Sequence, residues 1–575
     1  MNNEQIAGVL RQMADLLEMK GEVRFKVVAF QKVARAVAYA TDDVEQLASE
    51  GRLKEIPGVG KGIASKIDEL LSTGRIEEHD RLVADLPDGV LLMLDVSGIG
   101  PKTAYRICDE LGVSTLEGLQ NAILAGRLEV LPGMGKKTAE NILRRLYRPI
   151  AKDGRIPLGK ALPIAERVCE AMRPLVPNVT EAGSLRRLEE TVGDIDILGT
   201  SDDPAGAIEA FVRLPFVDEV LAHGPTKASV IVDDAYQVDL RIVEHESFGN
   251  LLQHFSGSKE HNVILRERAR RMGLSVNEYG ITDLATGKVE RHTTEEEVYQ
   301  RLGLPWIPPE LRWGTDEIEL AEQGRLPTLV ALGDLKGDLH CHSEWSDGRD
   351  SLETVREHAR AQGYEYLAIT DHSSGRGVAN GLTVDRLMEQ VERVHDLDRK
   401  ADDGFRLLAG SEVDIRADGS LDFPDEALER LDVVVASIHS AMTQDRERMT
   451  ARIITAMENP HVHVIGHLTA RHISDRPPVE LDIDAILAAA QRTGTAIEIN
   501  ASPERLDLKD TYVRRARQLG VRLVVSSDAH SVLHLPGLRF GVGVARRGMC
   551  EAGDILNTRP LLELLAALKG AAPSP

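Results

Sequence analysis

Between residues 338 and 530, seven short segments close on His, Glu or Asn: Asp338-Leu339-His340-Cys341-His342, Thr370-Asp371-His372, Gly410-Ser411-Glu412, Ser437-Ile438-His439, Ile465-Gly466-His467, Ile499-Asn500 and Ser527-Asp528-Ala529-His530. Most follow a run of Val, Ile, Leu or Ala. That pattern brings the polar groups together at the carboxyl ends of buried parallel strands, where barrel enzymes hold their chemistry. Nine side chains are candidate metal ligands: His340, His342, Asp347, His372, Glu412, His439, His467, Asp528 and His530. A lone histidine at a strand end is usually an ordinary core or surface residue, but nine ligand-type groups in register make a multi-metal site. Imidazole mixed with carboxylate, without a thiolate cluster, suits zinc, manganese or iron better than calcium or a structural zinc. Such ions acidify bound water and neutralise charge on a phosphoryl oxygen, so the expected chemistry is phosphoester hydrolysis.

His340-x-His342, Asp347, Asp371-His372, Glu412, His439, His467 and Asp528-x-His530 resemble the PHP (polymerase and histidinol phosphatase) domain over about residues 335 to 560. The resemblance implies a distorted (β/α)7 barrel holding three ions, Zn2+ and/or Mn2+. Asp347 stands where some relatives carry His, and a carboxylate still binds metal. This resemblance alone does not choose between a phosphatase and a nuclease.

Residues 183 to 196 read Gly-Ser-Leu-Arg-Arg-Leu-Glu-Glu-Thr-Val-Gly-Asp-Ile-Asp. Asp194 and Asp196, two apart on an expected strand, share a face. Asp239, in the alternating stretch Tyr236 to Val243, is expected on a neighbouring strand. Three carboxylates around two ions form a clamp for in-line attack on an α-phosphate. The stretch resembles the nucleotidyltransferase palm of family X DNA polymerases. The resemblance implies that Gly183, Ser184 and Arg187 hold a triphosphate. Asp194, Asp196 and Asp239 would hold Mg2+ or Mn2+, with Asp239 the base for a primer 3′-hydroxyl. His254-Phe255-Ser256-Gly257-Ser258 resembles the family's aromatic-Gly-Ser turn beside the incoming sugar, and Asn262 and Arg266 match positions touching the nascent base pair and template. Leu274 to Gly280 is similar to the closing strand, with its Glu-Tyr-Gly. Lys227 is expected to contact DNA. His254 stands for the usual Tyr, and Gln237 for an Arg beside the third acid. Lys259 replaces an acid, which makes it a candidate for strengthening metal-nucleotide binding before DNA arrives.

The first 150 residues repeat one pattern, Ile56-Pro-Gly-Val-Gly60, Val96-Ser-Gly-Ile-Gly100 and Leu131-Pro-Gly-Met-Gly135. A Gly-x-Gly turn opening a helix lets a phosphate approach backbone N–H groups. Three copies with trailing lysines resemble helix-hairpin-helix motifs, which grip DNA backbone through Gly58, Gly60, Gly98, Gly100, Gly133 and Gly135. By resemblance to the small amino-terminal domain of the same family, Lys66 aligns with the Schiff-base lysine of 5′-deoxyribose phosphate lyase, and Lys26 serves the 5′-phosphate. Gly62 stands where a second basic residue is usual, which weakens lysine activation.

Net charge is -23, the wrong sign for a protein that coats nucleic acid. Basic and acidic side chains number 20 and 22 in residues 1–150, 20 and 31 in 151–330, and 29 and 39 in 331–575. DNA affinity is therefore expected to come from local patches such as Arg266, Arg268, Arg270 and Arg271, and to fall with salt. Cys108, Cys169, Cys341 and Cys550 show no paired spacing, and no signal segment or long apolar run is present. These point to a cytoplasmic protein that does not enter a membrane.

The expected fold is multidomain α/β. Residues 1–85 form a helical lyase-like module and 86–154 a second helix-hairpin-helix module. An α+β palm (155–250) and thumb (251–315) follow, then a linker (316–335) and the PHP domain (336–575). The function implied is that of a family X DNA polymerase filling short gaps in base excision repair, with a 3′-5′ exonuclease or 3′-end-processing site, including an apurinic endonuclease. Partners are gapped or nicked duplex DNA and dNTPs, and the chain is expected to be a monomer. Two other readings stay open: a phosphoesterase using an inactive polymerase core as a DNA scaffold, and a polymerase whose barrel is only structural.

Overall fold

Apolar residues at helical spacing build the amino-terminal part. In the computed structural model, Ile6, Leu10, Met13 and Leu17 of α1 (Asn3–Met19) are buried with Phe30, Val33 and Val37 of α2 (Arg24–Ala38). The structure describes all residues except 2, 39, 41–42, 95, 97–98, 132–133, 137, 140–141, 144–154, 234, 376–378, 402, 474 and 569–575. Gly60 caps α3 (Lys61–Thr73) in extended backbone, and Gly58 two residues earlier has φ 90°, which favours glycine. Gly100 caps α4 (Pro101–Leu111) in the same way. The Gly135 carbonyl accepts a bond from Ala139 N at 3.1 Å, a helical turn opening at the third hairpin. Gly98 and Gly133 lie outside the described residues. These elements belong to one unit, Met1–Arg155, and the remainder to a second, Ile156–Pro575.

The second unit opens with α5 (Leu158–Met172), which lies against a five-stranded sheet. Its strands are β1 (Thr180–Glu181), β2 (Ile195–Thr200), β3 (Val217–His223), β4 (Lys227–Val232) and β5 (Tyr236–Val243), in the order β1-β2-β5-β4-β3. Only the β2–β5 pair is parallel, and it sets Asp196 directly across from Asp239. Next come α6 (Phe248–Ser256), α7 (Lys259–Arg271) and a three-stranded antiparallel sheet, β6 (Leu274–Asn277), β7 (Gly280–Asp283) and β8 (Val289–Glu290).

Seven parallel strands follow: β9 (Gly337–Cys341), β10 (Tyr366–Ile369), β11 (Arg406–Asp414), β12 (Val433–Ser437), β13 (Val464–Ile465), β14 (Ala496–Asn500) and β15 (Leu523–Ser526), adjacent in chain order. A parallel bridge between Cys341 and Ala529 brings the last strand back beside the first, so the sheet is a nearly closed barrel. The strands are apolar on both faces, as parallel strands covered on both sides require. Alternate residues divide between two hydrophobic clusters. Tyr366, Ala368, Val433, Val435 and Val464 join Leu564 and Leu568 of the last helix. Leu367, Ile369, Val434, Ala436 and Ile465 join a larger core that also holds Ile195, Ile197, Val238 and Leu240 of β2 and β5. Barrel and palm therefore share one continuous core.

The stretch expected to be a linker, 316–335, is packed instead. Glu317–Glu322 is helical, Ile318 and Ala321 belong to the thumb core, and Val330 N donates to the Cys550 carbonyl at 2.9 Å. Fully buried Glu317 accepts from Gly314 N and Thr315 N (both 2.8 Å) and meets His261 Nδ1 at 2.6 Å, an anchoring that composition did not reveal. Beside it, Arg312, 0% exposed, meets Glu295 at 2.6 Å and donates to the Ile307 carbonyl. Burial opposes the charge on Glu295, but Arg312 and Arg186 hold its carboxyl down to about 2. Its contribution to stability is complete above the ordinary glutamate range and is lost as pH falls toward 2. Replacing Arg312 by Met leaves Arg186 as the one arginine facing this buried carboxylate and should cost about 3 kcal/mol, measured by denaturant titration followed through tryptophan fluorescence.

Candidate metal centres

The barrel strands deliver their polar ends to one point. The Glu412 carboxylate, at the end of β11, lies 2.8 Å from His372 Nδ1, 2.9 Å from His467 Nε2, 3.3 Å from His439 Nε2, 3.5 Å from His340 Nε2 and 3.6 Å from His342 Nε2. Asp528 Oδ1 lies 3.3 Å from His342 Nε2, and Asp347 Oδ1 3.4 Å from His530 Nε2. Three groups have ligand atoms within 4.8 Å of one another: His342, Asp347, His372 and His530; His340, His342 and Glu412; and His372, Glu412 and His439. His467 and Asp528, outside these groups, border the same cluster. Both sit in left-handed backbone (φ 24° and 53°), a conformation that surrounding structure must enforce.

His340 Nε2, both ring nitrogens of His342, His372 Nδ1, His467 Nδ1 and Glu412 Oε2 are buried without a hydrogen-bond partner. Each such atom costs about 1–3 kcal/mol, so a convergent set of them fits coordination of cations. Burial, with His372 and His530 close by, lowers the His342 pKa to about 3, which keeps its ring in the neutral form that ligates. Burial works against charge on Asp347 and on His530 alike. Their mutual hydrogen bond nonetheless holds Asp347 down to about 2 and lifts His530 to about 9.

Sequence reasoning missed the residues that orient these rings. Glu498 Oε1 lies 2.7 Å from His340 Nδ1, its Oε2 accepts from His467 N at 2.7 Å, and Asp414 Oδ1 lies 2.6 Å from His439 Nδ1. An acid inside the apolar strand run Ala496-Ile-Glu-Ile-Asn500 was the available signal. Asn500 bridges Glu498 and Asp528 at 3.1 Å each. Arg505 Nε stands 3.6 Å from Asp528 Oδ2. Cys341 is buried in the apolar core.

The palm holds the second centre. Asp194 occupies the exposed bend Gly193-Asp194 before β2 rather than the strand itself, which begins at Ile195. Burial, then the neighbouring Asp194 and Asp239, raise the Asp196 carboxyl to about 6, by more than Lys227 and Arg241 lower it. Asp239 lies 3.0 Å from Lys227 Nζ, the lysine expected at DNA, and accepts from Gln237 Nε2 at 2.9 Å. A Cβ on Gly183 (φ 62°) would stand 3.0 Å from Asp196 Oδ2, so the turn lies against the acid. Ser184, partly buried, lies in the short helical turn Gly183–Arg186. The Arg187 guanidinium reaches Glu189 and the Ser256 carbonyl, beside Gly257. Asn262 donates to the His254 carbonyl at 2.8 Å, the Arg241 guanidinium lies 4.7 Å over Phe255, and Lys259 and Arg266 are exposed on α7.

In the amino-terminal unit, Lys26 and Lys66 share Glu78 at 3.2 Å each, and Lys66 also meets Glu69 at 3.4 Å. Partial burial works against the Lys66 charge, but Glu78 and Glu69 outweigh it and hold the ammonium above its ordinary pKa. That is the opposite of what a nucleophilic amine needs.

The whole chain aligns with a known protein. Over 573 residues, 99% of this chain and 100% of the relative, it is 39% identical to the DNA polymerase/3′-5′ exonuclease PolX of Bacillus subtilis (strain 168). The chain belongs to the PolX family. Family models match in four places: a helix-hairpin-helix domain at 1–76, a SAM-like helix-hairpin-helix tandem at 90–147, the DNA polymerase beta thumb at 251–313 and the PHP domain at 338–502. A probable phosphatase of Thermoanaerobacter sp. (strain X514) is 33% identical over 235 residues, 38% of this chain and 89% of the relative. Among the described residues, no helix is long and apolar enough to cross a membrane.

Glu498→Gln, which leaves His340 less firmly oriented, should weaken metal binding by about 10–100-fold, read by equilibrium dialysis with elemental analysis. For Lys66, borohydride trapping on a 5′-deoxyribose phosphate end should give no more adduct with wild type than with Lys66→Ala. Stronger trapping by wild type would show that the amine deprotonates despite Glu78.

Proposed function

We propose that this chain is a DNA-directed DNA polymerase that fills short gaps in base excision repair, and that its barrel is a metal-dependent 3′-5′ exonuclease or 3′-end-processing centre. The observation that carries this reading is Asp196 paired in register with Asp239 across parallel strands, in the same chain as the nine-residue histidine and carboxylate cluster.

Asp194, Asp196 and Asp239 would hold Mg2+ or Mn2+, and the barrel cluster three ions, Zn2+ and/or Mn2+. When bound, such ions stabilise charge developing on phosphoryl oxygens and activate the attacking oxygen. The chain's own groups do the rest. Asp239 takes the primer 3′-hydroxyl proton, while Ser184 and Arg187 bind the triphosphate of a dNTP beside Gly183 and Gly257. Phe255 lines the sugar position, and Asn262 and Arg266 flank the nascent pair, with Lys259 reaching the metal-nucleotide complex. In the barrel, Glu498 and Asp414 hold imidazoles in orientation, and Arg505 offers a cation to the scissile phosphate. The hairpin glycines, with Lys26, hold the backbone of gapped or nicked duplex. The protein would act as a monomer in the cytoplasm.

The test uses a one-nucleotide-gapped duplex labelled at the primer 5′ end, with manganese, with and without dNTPs. Asp239→Ala should lose extension by at least about 10³-fold and keep primer shortening. His342→Ala should do the reverse. If His342→Ala still shortens the primer, the barrel is not the nuclease.

A further inference from the structure

We propose that the barrel domain completes the polymerase's phosphate loop, with Arg471 and Arg547 as positioning residues for nucleotidyl transfer. This rests on the polymerase reading above and goes beyond it.

The loop carrying Ser184 and Arg187 runs on through Leu188, Glu189 and Glu190, and each of its three contacts with the barrel domain fixes something different. Arg547, on α8 (Leu538–Arg547), donates to the Arg187 carbonyl at 3.0 Å while its Nε meets Asp510 at 2.6 Å. The backbone of the triphosphate arginine is therefore held by a buried ion pair of the other domain. Leu188 has φ 52°, strained for a branched side chain, and such a conformation persists only where surrounding structure over-determines it. The restraint is close: a Cβ at Gly543 of the same helix would come within 3.0 Å of Leu188 Cδ1. Finally, Glu190 meets Arg471 at 2.8 Å. Against the cost of its surroundings, Arg471, then Lys509 and Arg547, hold the Glu190 carboxyl at about 2, so the pair is charged throughout the working pH range.

With its main chain held at Arg187 and its exit held at Glu190, the loop presents the Arg187 guanidinium toward Gly257. The palm holds the same exit through a bond from Leu158 N to the Glu190 carbonyl (3.0 Å), and Arg471 adds a side-chain anchor from the barrel domain. Arg471 also donates to the carbonyls of Arg505 (2.9 Å) and Leu506, and Arg505 stands 3.6 Å from Asp528. One arginine thus touches both the palm loop and the segment bordering the barrel centre.

The experiment measures single-nucleotide insertion at a gap by the full chain in a His342→Ala background, varying the dNTP. It compares Glu190→Gln, Arg471→Gln, the double variant, Arg547→Met and Gly543→Val, with melting curves for each. Every single variant is expected to raise the nucleotide KM by about fivefold or more with a smaller change in kcat. The Glu190/Arg471 double should be no worse than its worse single, because both remove one pair. Gly543→Val presses on Leu188 without altering a charge, so it keeps the test valid if Arg547→Met fails to fold. Wild-type KM in folded Glu190→Gln and Gly543→Val, or multiplying effects in the double, overturns the inference while leaving the polymerase reading intact. Failure of the background enzyme to insert any nucleotide overturns both.

Discussion

Burying the Glu412 carboxylate is the demand around which the second unit is organised. Its residue is fully buried, and five imidazoles from four strand ends stand within 3.6 Å of it. An ionised carboxylate removed from water costs several kcal/mol; against that burial, the imidazoles of His372, His439 and His340 hold the Glu412 carboxyl well below the ordinary glutamate range. His342, kept neutral, adds nothing to that offset. Apolar strand interiors, left-handed backbone at His467 and Asp528, and the Glu498 and Asp414 bonds together hold a convergent set of ligand-type groups that fits cations. The palm makes the same demand on a smaller scale, where Asp196 is pushed up by burial and by two neighbouring acids.

Barrel and palm share one hydrophobic core, so the separation between their two centres is a property of the fold. If one centre extends a 3′ end and the other shortens it, the DNA end must travel, because palm and barrel are packed on one shared core. The segment that sequence composition marked as a linker carries the buried Glu317 and packs into the thumb. Discrimination between outcomes then falls to whatever holds the end at the palm: a paired terminus with its incoming nucleotide favours extension, and a frayed one favours transfer.

Eight of the nine candidate ligands of the barrel were legible because each sits at or just past a strand's end after an apolar run, where a charged group has no structural reason to be; Asp347 lies in the turn beyond β9. Asp239 was legible through strict alternation in β5. Glu498 escaped because its strand already ended in Asn500, and Asp414 because it follows the more conspicuous Glu412 by two. Lys66 shows the limit of motif alignment. Its position matches a nucleophile's, but its chemistry depends on Glu78, twelve residues along and one helix away, which no local pattern reveals. Arg471 and Arg547 were invisible for the same reason: their partners are hundreds of residues distant.

Those distant partners also account for the acidic balance. Ion pairs that join the palm and thumb to the barrel domain include Glu166–Arg539, Glu190–Arg471, Glu310–Arg546 and Asp316–Arg514, at 2.5–2.8 Å. In each, the acid comes from the palm or thumb and the arginine from the barrel. Residues 151–330 carry 31 acidic against 20 basic side chains, so part of that excess is paired with arginines of the neighbouring domain. Pairs with exposed members contribute little to stability, but four of one polarity specify which surfaces meet and in what register. The net charge of -23 therefore overstates the field that a DNA duplex would meet at the palm. One of the same acids, Glu310, lies opposite α8, the barrel helix that also touches the phosphate loop. A charge pattern that looks unfavourable for nucleic acid in the sequence is, in the fold, the means by which one catalytic domain is seated on the other.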